Sequence, residues 1–275
     1  MFAILGLMGV AMGALMIDFG NDSEEQTGPA VEDHDDEVTP LDEVIAEPDE
    51  DMVIYAGDGD ETVVAGSGDD FVSGQDGDDH LIGGAGDDEL HGGRGDDLLE
   101  GNAGDDLLFG HVGDDILAGG SGDDDLNGGD GDDVLQGDDG DDALLGSLGN
   151  DSLFGGAGAD TMHGGSGDDM IEDRGDADRD YLNGGAGDDV LRGDAGDHYH
   201  GGTGADQFAL AGGDAVVADF DPHEDRIEVS YEGDAPELTT VLSDAGVMLL
   251  ADGEVVATFS NLTELDVTKV ALVAA

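Results

Sequence analysis

The sequence predicts an all-β solenoid, a stack of very short strands joined by glycine-rich turns. Three observations predict it. Residues 56–172 divide without a gap into thirteen units of nine residues. The eighth position of every unit is aliphatic: Val63, Val72, nine Leu, Met162 and Ile171. The fourth position is Gly in all thirteen, from Gly59 to Gly167, and the first is Gly in all but the units opening on Ala56 and Ala65.

Charge bounds the function classes. The 275 residues include 71 Asp and Glu against 6 Lys and Arg, a formal net charge of -65, with 51 Gly and no Cys. Phosphate would be repelled along the whole length, which excludes a nucleic-acid partner. Electrostatic docking on an anionic membrane is excluded for the same reason. The lack of Cys removes disulfides, thiolate metal sites and thiol nucleophiles. Such a chain is either disordered or carries its acids for bound cations, and the ordering of those acids decides between the two.

Residues 1–17, MFAILGLMGVAMGALMI, carry no charged side chain. As a helix they would reach roughly 25 Å at about 1.5 Å per residue, marginal for a bilayer core. Two readings stay open. One is a signal peptide, lacking a positive n-region and with only Ala11-Met12-Gly13 as a weak cleavage site. The other is an uncleaved membrane anchor, in which Gly9 and Gly13 have the spacing of close-packed helices. Residues 18–52 hold fifteen acids, no basic residue, and Pro29, Pro40 and Pro48. They are expected to form a disordered, self-repelling linker.

The nine-residue period has a physical reading. One obligatory apolar residue in nine cannot form a helical stripe, which needs three or four per two turns, and glycine at this density opposes a helix at every site. In an extended segment the eighth-position side chain points to one face and its neighbours to the other. Each unit is therefore expected to be a very short strand followed by a six-residue glycine turn. Stacked units build a continuous thin core that no single unit could bury.

The turns then collect carboxylates. Stacked turns lie about 4.8 Å apart, so unneutralised columns of acids would repel strongly. A hard divalent cation with six to eight oxygen ligands resolves this, and calcium suits irregular, carbonyl-rich cages better than magnesium. The candidate ligands are Asp69 and Asp70, Asp78 and Asp79, Asp87 and Asp88, Asp96 and Asp97, Asp105 and Asp106, Asp114 and Asp115, Asp123 and Asp124, Asp132 and Asp133, Asp141 and Asp142, Asp168 and Asp169, and Asp188 and Asp189. Asp151, Asp160 and Asp206 join them singly. Carbonyl oxygens are expected from turn glycines such as Gly84, Gly86, Gly93, Gly95, Gly120, Gly122, Gly129 and Gly131.

Units such as GGAGDDELH (83–91) and GGSGDDDLN (119–127) resemble the GGxGxDxUx nonapeptide of the RTX (repeats-in-toxin) proteins. The regular match covers residues 56–172, and degenerate units extend it to about 209. The resemblance implies a parallel β-roll, a right-handed β-helix or solenoid with two units per turn and a C-terminal β cap. It also implies calcium between turns, held by the sixth-position Asp, present in twelve units from Asp70 to Asp169, and by loop carbonyls. Gln75, Asn102, His111, Asp138 and Ser147 replace the second-position Gly, and Ala159 a fifth-position acid, so those sites are expected to be weaker. Pairing each loop with the next but one gives about eleven ions, which would offset about 22 charges. The roll is then expected to fold on binding calcium.

The rhythm breaks after Glu172. Asp173 and Arg174 read as an insertion, GDADRDYLN (175–183) is a degenerate unit, GDAGDHYH (193–200) is one residue short, and Phe208 points inward in the closing unit. Asp176, Asp178 and Asp180 alternate like an EF-hand start, but Tyr181 stands where that motif needs Gly, and Gly187 where it needs Glu. His198 and His200 are read as flanking an inward Tyr199, a zinc pair being the lesser alternative. Residues 210–275 turn to ordinary strand patterns, with Asp252-Gly253 as a hairpin signal. Residues 214–230 resemble the cap that follows the roll in RTX proteases. That likeness implies export by type I (ABC) secretion machinery, with an uncleaved signal in residues 263–275.

The chain is divided accordingly into 1–17 (signal or anchor), 18–52 (linker), 53–209 (roll) and 210–275 (cap). No HExxH, GxSxG, GxGxxG or GxxxxGK[ST] motif occurs, and no enzyme is expected. With two units per turn, Thr62, His80, Leu98, Ile116, Val134, Ser152 and Met170 form one outward column, whose aliphatic middle suggests a self-association face. The expected protein is a calcium-binding roll, extracellular or on a bacterial cell surface. The alternatives are a membrane-anchored adhesion or matrix protein and, less favoured, a secreted hydrolase of unrecognised type.

Overall fold

The computed structural model describes residues 51–176, 178–211, 213–231 and 233–274, together with the backbone strands Ala30–Glu32 and Val44–Ile45. The hydrophobic segment 1–17 lies outside the described residues. The architecture is an all-β parallel solenoid of about 10 turns. Successive strands alternate between two sheets of 14 and 12 strands, so each strand pairs with the one two further along. The register is the 18-residue one that two nonapeptides per turn require: Leu90 pairs with Leu108 on one sheet, and Leu99 with Leu117 on the other. The outward column from Thr62 to Met170 is aligned as expected.

The strands correct one expectation. They span six residues, as in Glu89–Arg94 and Leu98–Ala103, and the turns only three. The glycine pair that opens each unit lies in the strand ladder rather than in the turn, so the strand runs from the seventh position through the third of the next unit. Alternation then points the sixth, eighth and first positions inward, as with Asp97, Leu99 and Gly101, all buried. Eighth-position side chains from Val63 to Ile171 form one continuous apolar core, with a column contributed by each sheet. Tyr199 and Phe208 continue it, followed by Phe220 and Phe259, whose rings meet edge-on at 5.4 Å.

Within the segment read as linker, Ala30–Glu32 and Val44–Ile45 add one parallel strand to each sheet at the N-terminal end. At the other end the parallel stack runs on through Arg226–Tyr231 and Val270–Ala274. The 14-stranded sheet closes with an antiparallel meander, Leu238–Ser243, Gly246–Ala251 and Glu254–Phe259. Asp252 and Gly253, at φ 52° and 90°, make the two-residue turn read from the sequence.

Two glycine positions are dictated by space or backbone. A Cβ on fourth-position Gly95 would collide with the carbonyl oxygen of Gly77 one turn below. The second position demands a left-handed backbone even where Gly is absent: Gln75, Asn102, His111, Asp138 and Ser147 all sit at φ between 76° and 90°. A left-handed non-Gly residue costs roughly 1 kcal/mol. Ser147→Gly should therefore raise stability by about 1 kcal/mol, read as a higher melting temperature in saturating calcium, whereas Gly95→Ala should lower it sharply.

Candidate metal centre

Most turns present two acids, and the backbone sends them to different places. Fifth-position carboxylates such as Asp87, Asp96 and Asp123 are exposed at the rim. Each accepts, through Oδ1, the N–H of the fifth-position residue one turn ahead: Asp105 N–H to Asp87 at 3.0 Å, Asp114 to Asp96 at 2.9 Å. Sixth-position carboxylates point inward and are 1–2% exposed from Asp70 to Asp169. Their Oδ1 atoms accept in the opposite sense, from the sixth-position N–H one turn behind: Asp88 N–H to Asp106 and Asp97 N–H to Asp115, both 2.8 Å.

The other oxygen of the buried acid has no such partner. Oδ2 of all twelve sixth-position Asp from Asp70 to Asp169, and of Asp189, is buried without a hydrogen-bond donor. It lies over the first-position glycine of its own unit: a Cβ on Gly92 would collide with Oδ2 of Asp97, and one on Gly137 with that of Asp142. Here the first-position glycine finds its reason, which periodicity alone did not reveal. Carbonyl oxygens of the second- and fourth-position glycines face the next turn, those of Gly66 and Gly68 toward Gly84 and Gly86. A buried, donor-free carboxylate oxygen beside backbone carbonyls fits a hard cation and no hydrogen-bonding alternative within the protein.

Electrostatics agrees. Burial pushes Asp88, Asp97, Asp124, Asp133 and Asp169 up to about 7, the backbone hydrogen bond pulling down against it and neighbouring acids adding to the rise. Asp115, Asp142, Asp189 and Asp206 rise to about 6, again chiefly by burial. Asp70, Asp79, Asp106, Asp151 and Asp160 shift the same way.

The sixth-position ladder extends further than the regular units. It steps by 20 residues across the insertion (Asp160 to Asp180, Asp169 to Asp189), then by 17 across the shortened unit (Asp180 to Asp197, Asp189 to Asp206), and reaches Asp225. Asp180, Asp197 and Asp225 were not selected from the sequence. The signal for the first two was the acid placed immediately before an x-aromatic or x-aliphatic pair in a degenerate unit. Asp173, which reads as an insertion in the sequence, is buried, and burial followed by the charges of Asp180 and Asp160 pushes it up to about 8. Tyr199 is buried between His198 and His200 as expected, and His200 Nδ1 contacts the Asp219 carboxylate.

Comparison with known proteins follows the same residues. The family model of the RTX calcium-binding nonapeptide repeat (4 copies) matches residues 55–90, 82–117, 91–126, 118–153, 136–171 and 174–208. No curated protein matches the chain. Among solved structures, a subunit of the Azotobacter vinelandii mannuronan C5-epimerase is 24% identical over 55% of this chain and 78% of its own, with a TM-score of 0.26. The extracellular lipase LipA of Serratia marcescens is 20% identical over 90% of this chain but only 42% of its own, with a TM-score of 0.24.

The raised acids set a pH dependence without metal. Between the ordinary Asp value of about 4 and about 7, the folded chain holds protons that the unfolded chain has released. Stability from these groups is thus fully present below pH ~4 and lost as pH rises through ~7. In EDTA, far-ultraviolet circular dichroism should show β structure at pH 4 that disappears by pH 8; a signal constant across that range would contradict the assignment.

Proposed function

This chain belongs to the family of RTX calcium-binding nonapeptide repeat proteins, and from that premise we propose a secreted or surface-displayed calcium-binding roll that folds as the ion binds. The observation that carries the reading is the file of buried sixth-position Oδ2 atoms with no donor. The proposed ligands are those oxygens together with the carbonyls of turn glycines such as Gly84, Gly86, Gly93 and Gly95. The exposed fifth-position acids then serve the rim, where their Oδ1 atoms already hold the next turn's backbone. With thirteen regular units pairing along the two edges, about eleven ions are taken up.

Each role follows from this chain's own groups. The sixth-position Oδ1 ties one turn to the turn behind, and Oδ2 supplies the negative charge that a cation neutralises when bound. The first-position glycine keeps that space open. Because the unfolded chain offers no preformed cage, binding energy becomes folding energy. Extracellular fluid, with millimolar calcium, would saturate even weak sites of this kind. Export through type I secretion machinery, directed from residues 263–275, belongs to the same proposal. Among the described residues no helix is long and apolar enough to cross a membrane. The roll is read as a structural domain, its interior filled by the eighth-position columns of the two sheets, and the chain as a binding protein rather than an enzyme.

Self-association is supported by the outer surface. Ile116 is 50% exposed and stands beside the exposed Val134 on one sheet, while Leu107 and Val112 are exposed on the other. In EDTA at pH 7.5 the chain should lack β signal, and millimolar calcium should restore it; an identical spectrum in both would sink calcium-driven folding. Ile116→Glu should fold as the wild type does but scatter less light on calcium addition; undiminished scattering counts against this face.

A further inference from the structure

Where the repeat breaks, the structure builds a cluster that the regular units do not contain. Strand Met170–Glu172 pairs with Ser152–Ala157, Phe154 beside Glu172, so Asp173 follows in register with Gly155. That is the first position, which is Gly in every regular unit from Gly74 to Gly164. The turn that follows carries two extra residues, since the sixth-position step from Asp160 to Asp180 is 20 residues rather than 18. The family match is interrupted at the same place, between 171 and 174.

Both departures gather carboxylates. One oxygen from each of Asp160, Asp173 and Asp180 lies within 4.8 Å of the others, and all three residues are buried. Asp173 is 2% exposed, and its Oδ2 has no hydrogen-bond partner. That oxygen is aimed over Gly155, into the space that the donor-free Oδ2 of Asp160 also enters. Asp173 Oδ1 accepts only a long bond, 3.4 Å, from the Gly156 N–H, and Asp176 Oδ2 accepts from Gly158 N–H at 3.3 Å beside it. Among the described residues no Lys, Arg or His forms an ion pair with these three acids, and Arg174 and Arg179 of the lengthened turn are exposed.

We propose that Asp160, Asp173 and Asp180 chelate one calcium ion in a three-carboxylate variant of the repeat site, the extra ligand being Asp173, and that this ion binds first. The proposal rests on the reading that sixth-position carboxylates bind calcium. A regular gap between turns is served by sixth-position acids alone; here the strand end supplies another carboxylate. Calcium affinity rises with the charge count and rigidity of the cage, and Asp173 is held in place by its N–H, which donates to the Arg192 carbonyl at 2.8 Å. The ion fastens the lengthened turn to the one before it, at the point where the 18-residue step is interrupted.

Calcium titration of the full chain, by chelator competition and calorimetry, tests this. The wild type should show one binding event at least tenfold tighter than the rest. Asp173→Gly installs the residue type that the repeat uses at that register, and Asp173→Asn keeps the size while removing the charge. Both should lose the tight event, the gap then binding with the affinity of the other repeat sites, yet regain full β signal in saturating calcium. Asp124→Asn, at a regular turn, should leave the tight event in place and weaken a later one. A wild type without a separable tight event, or either Asp173 variant retaining it, overturns the proposal while leaving calcium binding by the repeats intact. A wild type that binds no calcium overturns both.

Discussion

The sixth-position carboxylate is the group on which the rest of the roll depends. It is carried inward by backbone alternation, two residues before the core leucine of its unit. One oxygen is satisfied by the backbone of the turn behind, and the other meets no donor. Burying a leucine contributes about 2 kcal/mol, whereas an uncompensated buried carboxylate costs several kcal/mol even after relaxation. Within a nine-residue unit the carboxylate therefore outweighs the aliphatic side chain. What neutralises Oδ2, a proton or a cation, decides whether the unit can stack at all. The same oxygen explains the first-position glycine, because a Cβ there would occupy its place.

The two acids of each turn also give the stack its direction. Fifth-position Oδ1 atoms accept from the turn ahead, and sixth-position Oδ1 atoms accept from the turn behind. An interior turn with both acids is thus bonded to both neighbours by its own side chains, in addition to the strand ladder. Stability in such a stack is a sum over units and their nearest-neighbour interfaces. A unit that loses one of these acids weakens the interface which that acid spans, and one that gains an acid, as at Asp173, changes the pair of turns it joins.

Much of this was legible in the sequence. The eighth-position file, the two-unit turn with its aligned outer column, the inward Tyr199 and Phe208, and the Asp252-Gly253 hairpin are where the residue pattern puts them. Strand length was not legible, because glycine carries no facing signal: the Gly-Gly pair reads as turn by composition, yet it lies within the strand ladder. Nor did the sequence separate the roles of adjacent acids. Asp87 and Asp88 look alike as letters, and only the alternation of the strand sends one to the rim and the other to the interior. Asp173 was hidden for a related reason. An insertion erases the register, and without a register no residue can be assigned to the first position.

The net charge of -65 consequently comprises acids of different kinds. Exposed fifth-position carboxylates stay hydrated and keep the protein soluble, while the buried ones cannot ionise freely. Dissolved monovalent salt cannot relieve the buried column. The Debye length at physiological ionic strength is about 8 Å, longer than the roughly 4.8 Å between stacked turns, and bulk ions do not enter the interior where Oδ2 lies. Relief has to come from a charge seated between turns, small enough for the gap and able to accept several oxygens at once. A divalent ion with flexible oxygen coordination meets those conditions, and it does so without altering the exposed acids. The folded roll therefore remains strongly acidic on its surface even when every interior carboxylate is matched.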